Sequence, residues 1–253
     1  MPRIDLNSDM GESFGLYNYG EDEAAIKFVS SANLACGFHA GDPVVIATSV
    51  ELAKSHNVAV GAHVGFPDLM GFGRRPMTIK PSDLNSYVTY QMGALIGFLK
   101  TADLTLHHIK PHGALYMMAL EDENYAEAIL DATMALAPDS MIYTIRDSAT
   151  WHVALKKGIR PIPEFFADRG YHADGRVKMF DWSLAEAGDS HKAIAERVVQ
   201  MITTGGIDSF EGGTVSVEAE TVCVHSDTPG AADILSEIHK KLTAKNIEIK
   251  TID

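Results

Sequence analysis

The sequence predicts an α/β protein, a (β/α) barrel of about seven to eight parallel strands. Three observations support the barrel. Short apolar runs alternate with longer helical patterns along the chain. The runs are apolar throughout, which is typical of strands buried on both faces of a parallel sheet. The length of 253 residues suits one α/β barrel, so we expect residues 1–253 to form a single domain.

Eight segments are predicted as strands because they are short, mostly apolar and bounded by turn residues. In chain order they are residues 3–7, the run that begins at residue 31, and residues 58–62, 104–109, 141–145, 160–166, 221–224 and 247–251. In a barrel built from these strands, the loops that follow the strands share one face of the molecule.

Seven helices are predicted between the strands. They cover residues 22–28, 43–56, 81–100, 124–136, 148–157, 191–204 and a segment that ends near 244. The pattern is clearest in 81–100, where Leu84, Val88 and Leu95 recur at helical spacing. Residues 66–75 are rich in glycine and aromatic residues and are predicted to be a lid or binding loop. Residues 172–189 are expected to form an irregular excursion or hairpin.

The composition excludes several functional classes. The chain has 21 basic and 34 acidic residues, a net charge of −13, and no basic run that would favour a nucleic acid or an anionic membrane. No apolar stretch approaches the length of about 18 residues that a membrane helix needs. We therefore expect a soluble cytoplasmic protein. The two cysteines, Cys36 and Cys223, are predicted to be buried free thiols.

The segment 31–43 is a strand that ends in a turn carrying His39. Gly37 and Gly41 lie on either side of this histidine and allow the backbone to turn sharply. Asp42 followed by Pro43 is a strong helix start, because an aspartate caps the first turn and proline has the φ value that a helix needs. This segment therefore predicts a strand, a turn that presents a histidine, and a helix in close succession.

Several predicted strands, including the one before His39, are followed by ionisable side chains, and the barrel would bring these side chains to one face. These residues are Asp9, Glu12, His39, His63, Lys110, His112, Glu164, Asp168, Arg169, His225 and Asp227. Their convergence predicts an active site. The sequence assigns catalytic roles to Asp9, Glu12, His39, His63, Lys110, His112, Asp168 and His225. Substrate binding is assigned to Asn7, Arg74, Arg75, Tyr116, Glu164, Arg169 and Asp227.

Carboxylates and imidazoles in one cleft suit two kinds of chemistry. They can bind a divalent metal that acidifies water, or they can act as general acid and base without a metal. Asp9, His39 and His63 form a reasonable ligand set for zinc or manganese. The sequence contains neither a GxxxxGK[ST] loop nor a GxGxxG motif after a strand, so a standard nucleotide cradle is not predicted.

Motifs along most of the chain closely resemble the LamB/YcsF family. They begin near Asp5 and occupy residues 5–12, 31–43, 61–63, 71–75, 90–95, 110–116, 166–169 and 223–225. The resemblance implies a barrel of the glycoside hydrolase/deacetylase type and a role in the ATP-dependent opening of 5-oxoproline (pyroglutamate) to L-glutamate, with release of ADP and phosphate. It also implies two partner subunits of this 5-oxoprolinase, B and C, with which ATP and magnesium would be shared.

Two other functions stay open at this point. One is a stand-alone metal-dependent deacetylase or amidohydrolase that uses Asp9, His39 and His63, and the other is a non-catalytic subunit that presents a ligand to its partners. Val64, Met117, Ser226 and residues 176–182 depart from the family pattern. Because Met117 and 176–182 are expected to border the cleft, a related lactam is an alternative substrate. Association into a homo-oligomer also stays open.

Overall fold

A computed structural model describes residues 2–253, and its central element is a closed barrel of parallel strands. The ten strands are β1 (Arg3–Met10), β2 (Ser31–Ala35), β3 (Ala59–His63), β4 (His108–Ile109), β5 (Met141–Thr144), β6 (Pro161–Phe166), β7 (Gly206–Asp208), β8 (Thr214–Ser216), β9 (Thr221–Val224) and β10 (Glu248–Ile249). Strands β1 to β6 pair in chain order, and β9 closes the barrel by pairing with both β6 and β1. The predicted parallel barrel is therefore confirmed, with seven strands in the closed ring.

Eight α-helices accompany the strands. They are α1 (Asp22–Ala25), α2 (Pro43–His56), α3 (Pro81–Thr101), α4 (Gly113–Glu121), α5 (Glu123–Leu136), α6 (Ala149–Lys157), α7 (His191–Thr204) and α8 (Ala231–Ala244). Among the described residues, no helix combines the length and the apolar character required to cross a membrane. Asp42 caps α2 as predicted, since its side chain accepts hydrogen bonds from the backbone N–H groups of Val44 and Val45.

The structure differs from the sequence-based assignment at several elements. The predicted strand 247–251 is reduced to β10, which pairs with β1 outside the closed ring, and the predicted helix 22–28 is α1 followed by a 3-10 turn. Helix α4 was not predicted, because residues 114–120 are apolar on all sides and show no helical stripe. The antiparallel hairpin of β7 and β8 was also missed, since its strands are only three residues long. The predicted strand 104–109 is shorter, because only His108 and Ile109 pair with neighbouring strands.

The inside of the barrel is unusually polar, whereas the layer between strands and helices is apolar. On β1, Asp5, Asn7 and Asp9 alternate with outward residues, and all three side chains are buried. At the lower end, the Asp5 carboxylate accepts hydrogen bonds from the hydroxyl groups of Tyr143 and Thr221, among others. Buried polar groups are tolerated when they are paired in this way. The barrel therefore encloses a continuous polar network beneath the site.

Candidate active site

Chemically active side chains gather at the carboxyl ends of the strands, as the fold predicts. Asp9 ends β1, His63 ends β3, Lys110 and His112 follow β4, and His225 follows β9. All eight residues that the sequence assigns to catalysis are buried: Asp9, Glu12, His39, His63, Lys110, His112, Asp168 and His225. The structure brings them together, and their individual contacts show what each can do.

Lys110 is a buried cation between two carboxylates. Its Nζ lies 3.0 Å from Oδ1 of Asp9 and 3.0 Å from Oε1 of Glu164. It also donates to Sγ of Cys223 at 2.9 Å. Burial alone would lower the pKa of Lys110, but Asp9, Cys223 and Glu164 together raise it well above its usual value. Lys110 therefore stays charged at the base of the site.

The two oxygens of Asp9 have different surroundings. Oδ1 accepts from Lys110 and from the side-chain amide of Asn33, 2.8 Å away. Oδ2 lies 3.4 Å from Nε2 of His63 and 3.9 Å from Nε2 of His225. Burial would raise the pKa of Asp9, but His63 and Lys110 lower it well below its usual value. Asp9 is therefore an ionised carboxylate with one oxygen free to face the histidines.

Asn33 and His108 support Asp9 from below, and neither was assigned to the site from the sequence. The ring of His108 contacts the Oδ1 atom of Asn33 through Nε2 at 2.6 Å, so Asn33 must present its amide nitrogen to Asp9. Gly61 makes room for this ring, because a Cβ there would lie 2.1 Å from Nε2 of His108. Polar residues at every second position of β1 and β2 were the signal that could have identified Asn33.

His225 is held by Asp168. Nδ1 of His225 lies 3.1 Å from Oδ1 of Asp168. The other carboxylate oxygen of Asp168, Oδ2, pairs with Arg169 and accepts a hydrogen bond from the hydroxyl of Thr228. Burial would raise the pKa of Asp168, but Arg169 and His225 lower it well below its usual range. Because an ionised carboxylate only accepts, Nδ1 of His225 carries the hydrogen and Nε2 is left as an acceptor in the neutral ring. The pair resembles the aspartate and histidine of hydrolases in which the carboxylate orients the imidazole.

A second cluster contains three further histidines and Glu12. The rings of His39 and His112 stack in parallel with centroids 3.7 Å apart, and His63 meets His112 edge to face. Oε1 of Glu12 lies 3.3 Å from Nε2 of His39. Burial lowers the pKa of His39 and of His112 well below the usual value, whereas burial and the Asp9 charge raise that of Glu12. The rings of His39 and His112 are therefore neutral.

The ligand set predicted from the sequence is divided between two groups in the structure. His39 and His63 lie with Glu12 and His112, whereas Asp9 lies with Cys223 and His225.

A narrow cavity of about 20 Å³ leads to these groups. Its walls are formed by Asp9, His63, Arg74, Lys110, Pro111, His112, Gly113, Tyr116, Phe166, Arg169, Met179, Phe180 and His225. This enclosed space holds about one water molecule; with its opening to solvent, the space between the lining atoms is about 380 Å³. Met179 and Phe180 belong to the irregular segment 172–189, so this segment forms the outer wall. Arg169 lies 3.8 Å from the ring centroid of Trp182 in the same segment.

The residues assigned to substrate binding occupy different positions. Arg74 lines the cavity and is paired with Asp227, and Tyr116 also lines it while donating to Glu164 at 3.3 Å. Arg75 pairs with Asp68, and its side chain is 65% exposed.

The side chain of Arg75 therefore points from its loop towards the surface and lies outside the cavity. Asn7 and Glu164 lie below the cavity, where Asn7 donates to Glu164 at 3.1 Å. Residues 176–182 do border the site, whereas Met117 packs against the apolar core. Ser226 contacts the site, since its hydroxyl donates to Oε2 of Glu12 at 3.1 Å.

Comparison with known proteins gives a consistent result over the whole chain. The model of the LamB/YcsF family matches residues 4–253. A protein of Pyrococcus horikoshii, named as the A subunit of 5-oxoprolinase, is 44% identical over 247 residues, covering 98% of this chain and 96% of the relative. A Bacillus mycoides protein of the same name is 45% identical over 250 residues and covers 98% of each chain.

Solved structures agree with this assignment. The lactam utilization protein from Thermus thermophilus superposes with a TM-score of 0.92 at 40% identity, covering 99% of this chain and 100% of that one. A putative cellobiose-phosphate cleavage protein from Enterococcus faecalis shares the fold, with a TM-score of 0.56 at 14% identity over 99% of this chain and 97% of that one.

Proposed function

Since this chain belongs to the LamB/YcsF family, we propose that it is the A subunit of a 5-oxoprolinase. In this proposal it opens the lactam ring of 5-oxoproline to give L-glutamate, while ATP is converted to ADP and phosphate. Two partner subunits, B and C, complete the enzyme, which works in the cytoplasm. The names of the relatives and the lactam utilization protein support a hydrolase that acts on a lactam.

One observation carries the proposal: the His225–Asp168 pair and the Asp9–Lys110 pair meet at the same small cavity. A lactam needs a group that removes a proton from water, a positive charge for the developing oxyanion, and an acid for the leaving nitrogen. His225 can serve as base and then as acid, because Asp168 fixes its tautomer. Lys110 supplies the positive charge.

The ring opening then follows in two proton transfers. Nε2 of His225 accepts a proton from water as the water oxygen forms a bond to the lactam carbonyl carbon. Lys110 compensates the charge that develops on the carbonyl oxygen. The imidazolium next gives its proton to the ring nitrogen as the C–N bond breaks, which leaves the amine and an acyl group that still carries the phosphoryl group received from ATP. The Asp9 carboxylate, 3.9 Å from Nε2 of His225, stabilises the transient imidazolium.

In this proposal His39 does not activate water. Its Nε2 faces Glu12, and the residue is not part of the cavity wall. A base must come within hydrogen-bond reach of the proton that it removes. His225 meets this requirement, and His39 contributes through its contacts with Glu12 and His112.

ATP is needed because an unstrained five-membered amide is a poor electrophile. Transfer of the phosphoryl group of ATP to the lactam oxygen releases ADP and makes the carbonyl carbon a better electrophile. After the ring has opened, a second water hydrolyses the acyl phosphate to the carboxylate of glutamate and phosphate. The sequence contains no GxxxxGK[ST] phosphate loop. We therefore assign the ATP and its magnesium to a site that the partner subunits contribute.

The test is an assay of glutamate and ADP release from 5-oxoproline. It is run with the purified chain alone, with subunits B and C, and with all three, each with and without ATP. Equal release of both products only when all components are present supports the proposal. Release of ADP without glutamate from the complete, assembled mixture would contradict 5-oxoproline as the substrate.

The Glu12 and histidine cluster favours a second candidate, the stand-alone metal-dependent amidohydrolase. This candidate predicts hydrolysis by the chain alone, without ATP, and loss of activity after treatment with a chelator. The same assay therefore separates the two functions.

A further inference from the structure

His63 and His112 face each other through Nε2 of His63 and Nδ1 of His112. Nδ1 of His63 contacts the backbone carbonyl of Lys110 at 2.8 Å, and Nε2 of His112 contacts that of Phe72 at 2.7 Å. A carbonyl can only accept, so each of these outer nitrogens is an N–H donor. An imidazole that carries its hydrogen on the outer nitrogen has an acceptor at the inner one, and the two inner nitrogens lie 2.9 Å apart. Two lone pairs at this distance repel unless a cation lies between them.

Two more potential ligand atoms lie near the same point. Oε1 of Glu12 lies 3.6 Å from Nδ1 of His112 and 3.9 Å from Nε2 of His63. Nε2 of His39 lies 3.3 Å from the same oxygen. Oε1 of Glu12 and both ring nitrogens of His39 are buried and have no hydrogen-bond partner among the described residues. Buried polar atoms without partners are rare in folded proteins and call for an explanation such as a bound ion.

We propose that Glu12, His39, His63 and His112 bind a divalent transition-metal ion, with zinc as the preferred ion. Three imidazole nitrogens and one carboxylate oxygen match the ligands and the coordination number of protein zinc sites. His63 and His112 also have the support typical of metal ligands, since their outer nitrogens donate to backbone carbonyls.

This set differs from the one that the sequence suggested, which contained Asp9. Oδ1 of Asp9 already accepts from Asn33 and Lys110, and the ammonium group of Lys110 balances its charge. The same ammonium group contacts Cys223, so it also occupies the space between Asp9 and Cys223. Among the described residues, Oε1 of Glu12 makes ion-pair contacts only with the three histidines and with no lysine or arginine. A second cation is therefore favoured at Glu12.

The metal site adjoins the cavity of the proposed reaction, because His63 and His112 line it. When bound there, the ion would hold the rings of His63 and His112 in fixed positions in the cavity wall. The binding of metal itself is independent of the proposed function and is measured without substrate.

The test is the metal content of the full-length chain. The protein is stripped with a chelator, reloaded with zinc, dialysed and analysed by elemental mass spectrometry. We expect about one zinc ion per chain. Loading with Co²⁺ should give visible absorption bands typical of a four-coordinate nitrogen and oxygen site.

Four variants identify the ligands. Glu12→Gln and His112→Gln should each lower the retained metal by at least about tenfold, since even residues that only support a ligand cost about 10- to 100-fold in affinity. Asp9→Asn and the exposed control His56→Gln should retain the ion. Circular dichroism and thermal unfolding establish that each variant is folded.

Two results would overturn the proposal. One is a folded wild-type chain that retains no zinc or cobalt after reloading, which would mean that His63 and His112 share a proton instead. The other is loss of the metal from Asp9→Asn but not from Glu12→Gln, which would return the site to the set suggested by the sequence.

Discussion

Asp168 holds the ring of His225 in one orientation, with Nδ1 of His225 3.1 Å from Oδ1 of the carboxylate. The backbone N–H of His225 also donates to Oδ2 of Asp168, at 3.0 Å. These two contacts fix both the position and the tautomer of the imidazole, so that Nε2 points towards Asp9 and the cavity. The relationship between Asp168 and His225 determines which nitrogen is available for proton transfer.

Asp168→Asn should preserve the size of this side chain but remove its negative charge. The amide can then present its N–H₂ group to Nδ1, which favours the wrong tautomer of His225. We expect kcat for glutamate release by the complete enzyme to fall by about 10²- to 10⁴-fold, with little change in KM. The exposed variant Asp174→Asn is the control. A rise in KM with an unchanged kcat would show that Asp168 acts only in binding.

Lys110→Met should destabilise the fold, because it leaves the buried carboxylates Asp9 and Glu164 without their cation. Breaking a buried charge pair costs about 3–5 kcal/mol. Urea unfolding at pH 7 measures this loss. Lys156→Met is the matched control, since Lys156 and Glu123 form an exposed pair and should contribute less than about 1 kcal/mol. Equal stability of the two variants would contradict the charge arrangement described for the site.

Gly61→Ala should disturb the contacts by which His108 and Asn33 hold Asp9 in place. The new Cβ would lie 2.1 Å from Nε2 of His108, so the ring must move away from Asn33. We expect a loss of at least about 2 kcal/mol in unfolding free energy. Gly93→Ala is the control, because no atom lies within 4 Å of its added Cβ in α3. That variant should gain about 0.5–1 kcal/mol. A loss of unfolding free energy in both variants would contradict this explanation, because alanine would then destabilise the protein without a contact with His108.

Asp22 should make stability depend on pH. Burial raises the pKa of Asp22 from 3.8 to about 6 in the folded protein. The folded state therefore binds the proton more tightly, so the contribution of Asp22 to stability is complete below about pH 4 and lost as the pH rises through 6. The full difference corresponds to about 3 kcal/mol, and partial exposure of the side chain reduces it to about 1–3 kcal/mol.

The variant Asp22→Asn cannot ionise but can still accept the hydrogen bond from the backbone N–H of Gly11. It should have nearly the stability of the wild type at pH 4 and exceed it by about 1–3 kcal/mol at pH 7. Urea unfolding of both proteins between pH 4 and 8 measures the difference. A difference that does not change with pH would show that the buried carboxyl does not titrate in this range.

The barrel and the gathering of the strand-end residues could be predicted from the sequence, since both depend on local patterns. The apolar strand 58–62 and the helix start at Asp42 are examples, because each is encoded within a few residues. Helix α4 was missed because Ala114, Leu115 and their neighbours are buried from several directions, which removes the polar face that identifies a surface helix.

The detailed roles within the site depended on contacts between distant segments. Arg75 and Arg74 are adjacent in sequence, but only Arg74 reaches the cavity. Asn33 looked like a polar residue in an apolar strand, and its importance is seen only from its contact with Asp9. Side-chain direction and partner choice are set by tertiary packing, which one sequence does not encode in any local pattern.

The most direct test of the proposed role of His225 is glutamate release from 5-oxoproline by the complete complex that contains His225→Gln. We expect a fall in kcat of at least about 10²-fold, with assembly of the complex unchanged. The exposed variant His152→Gln should keep the wild-type rate. An unchanged rate with His225→Gln would contradict this role, because lactam opening would then take place on one of the partners, whereas this chain would serve only to bind the ligand.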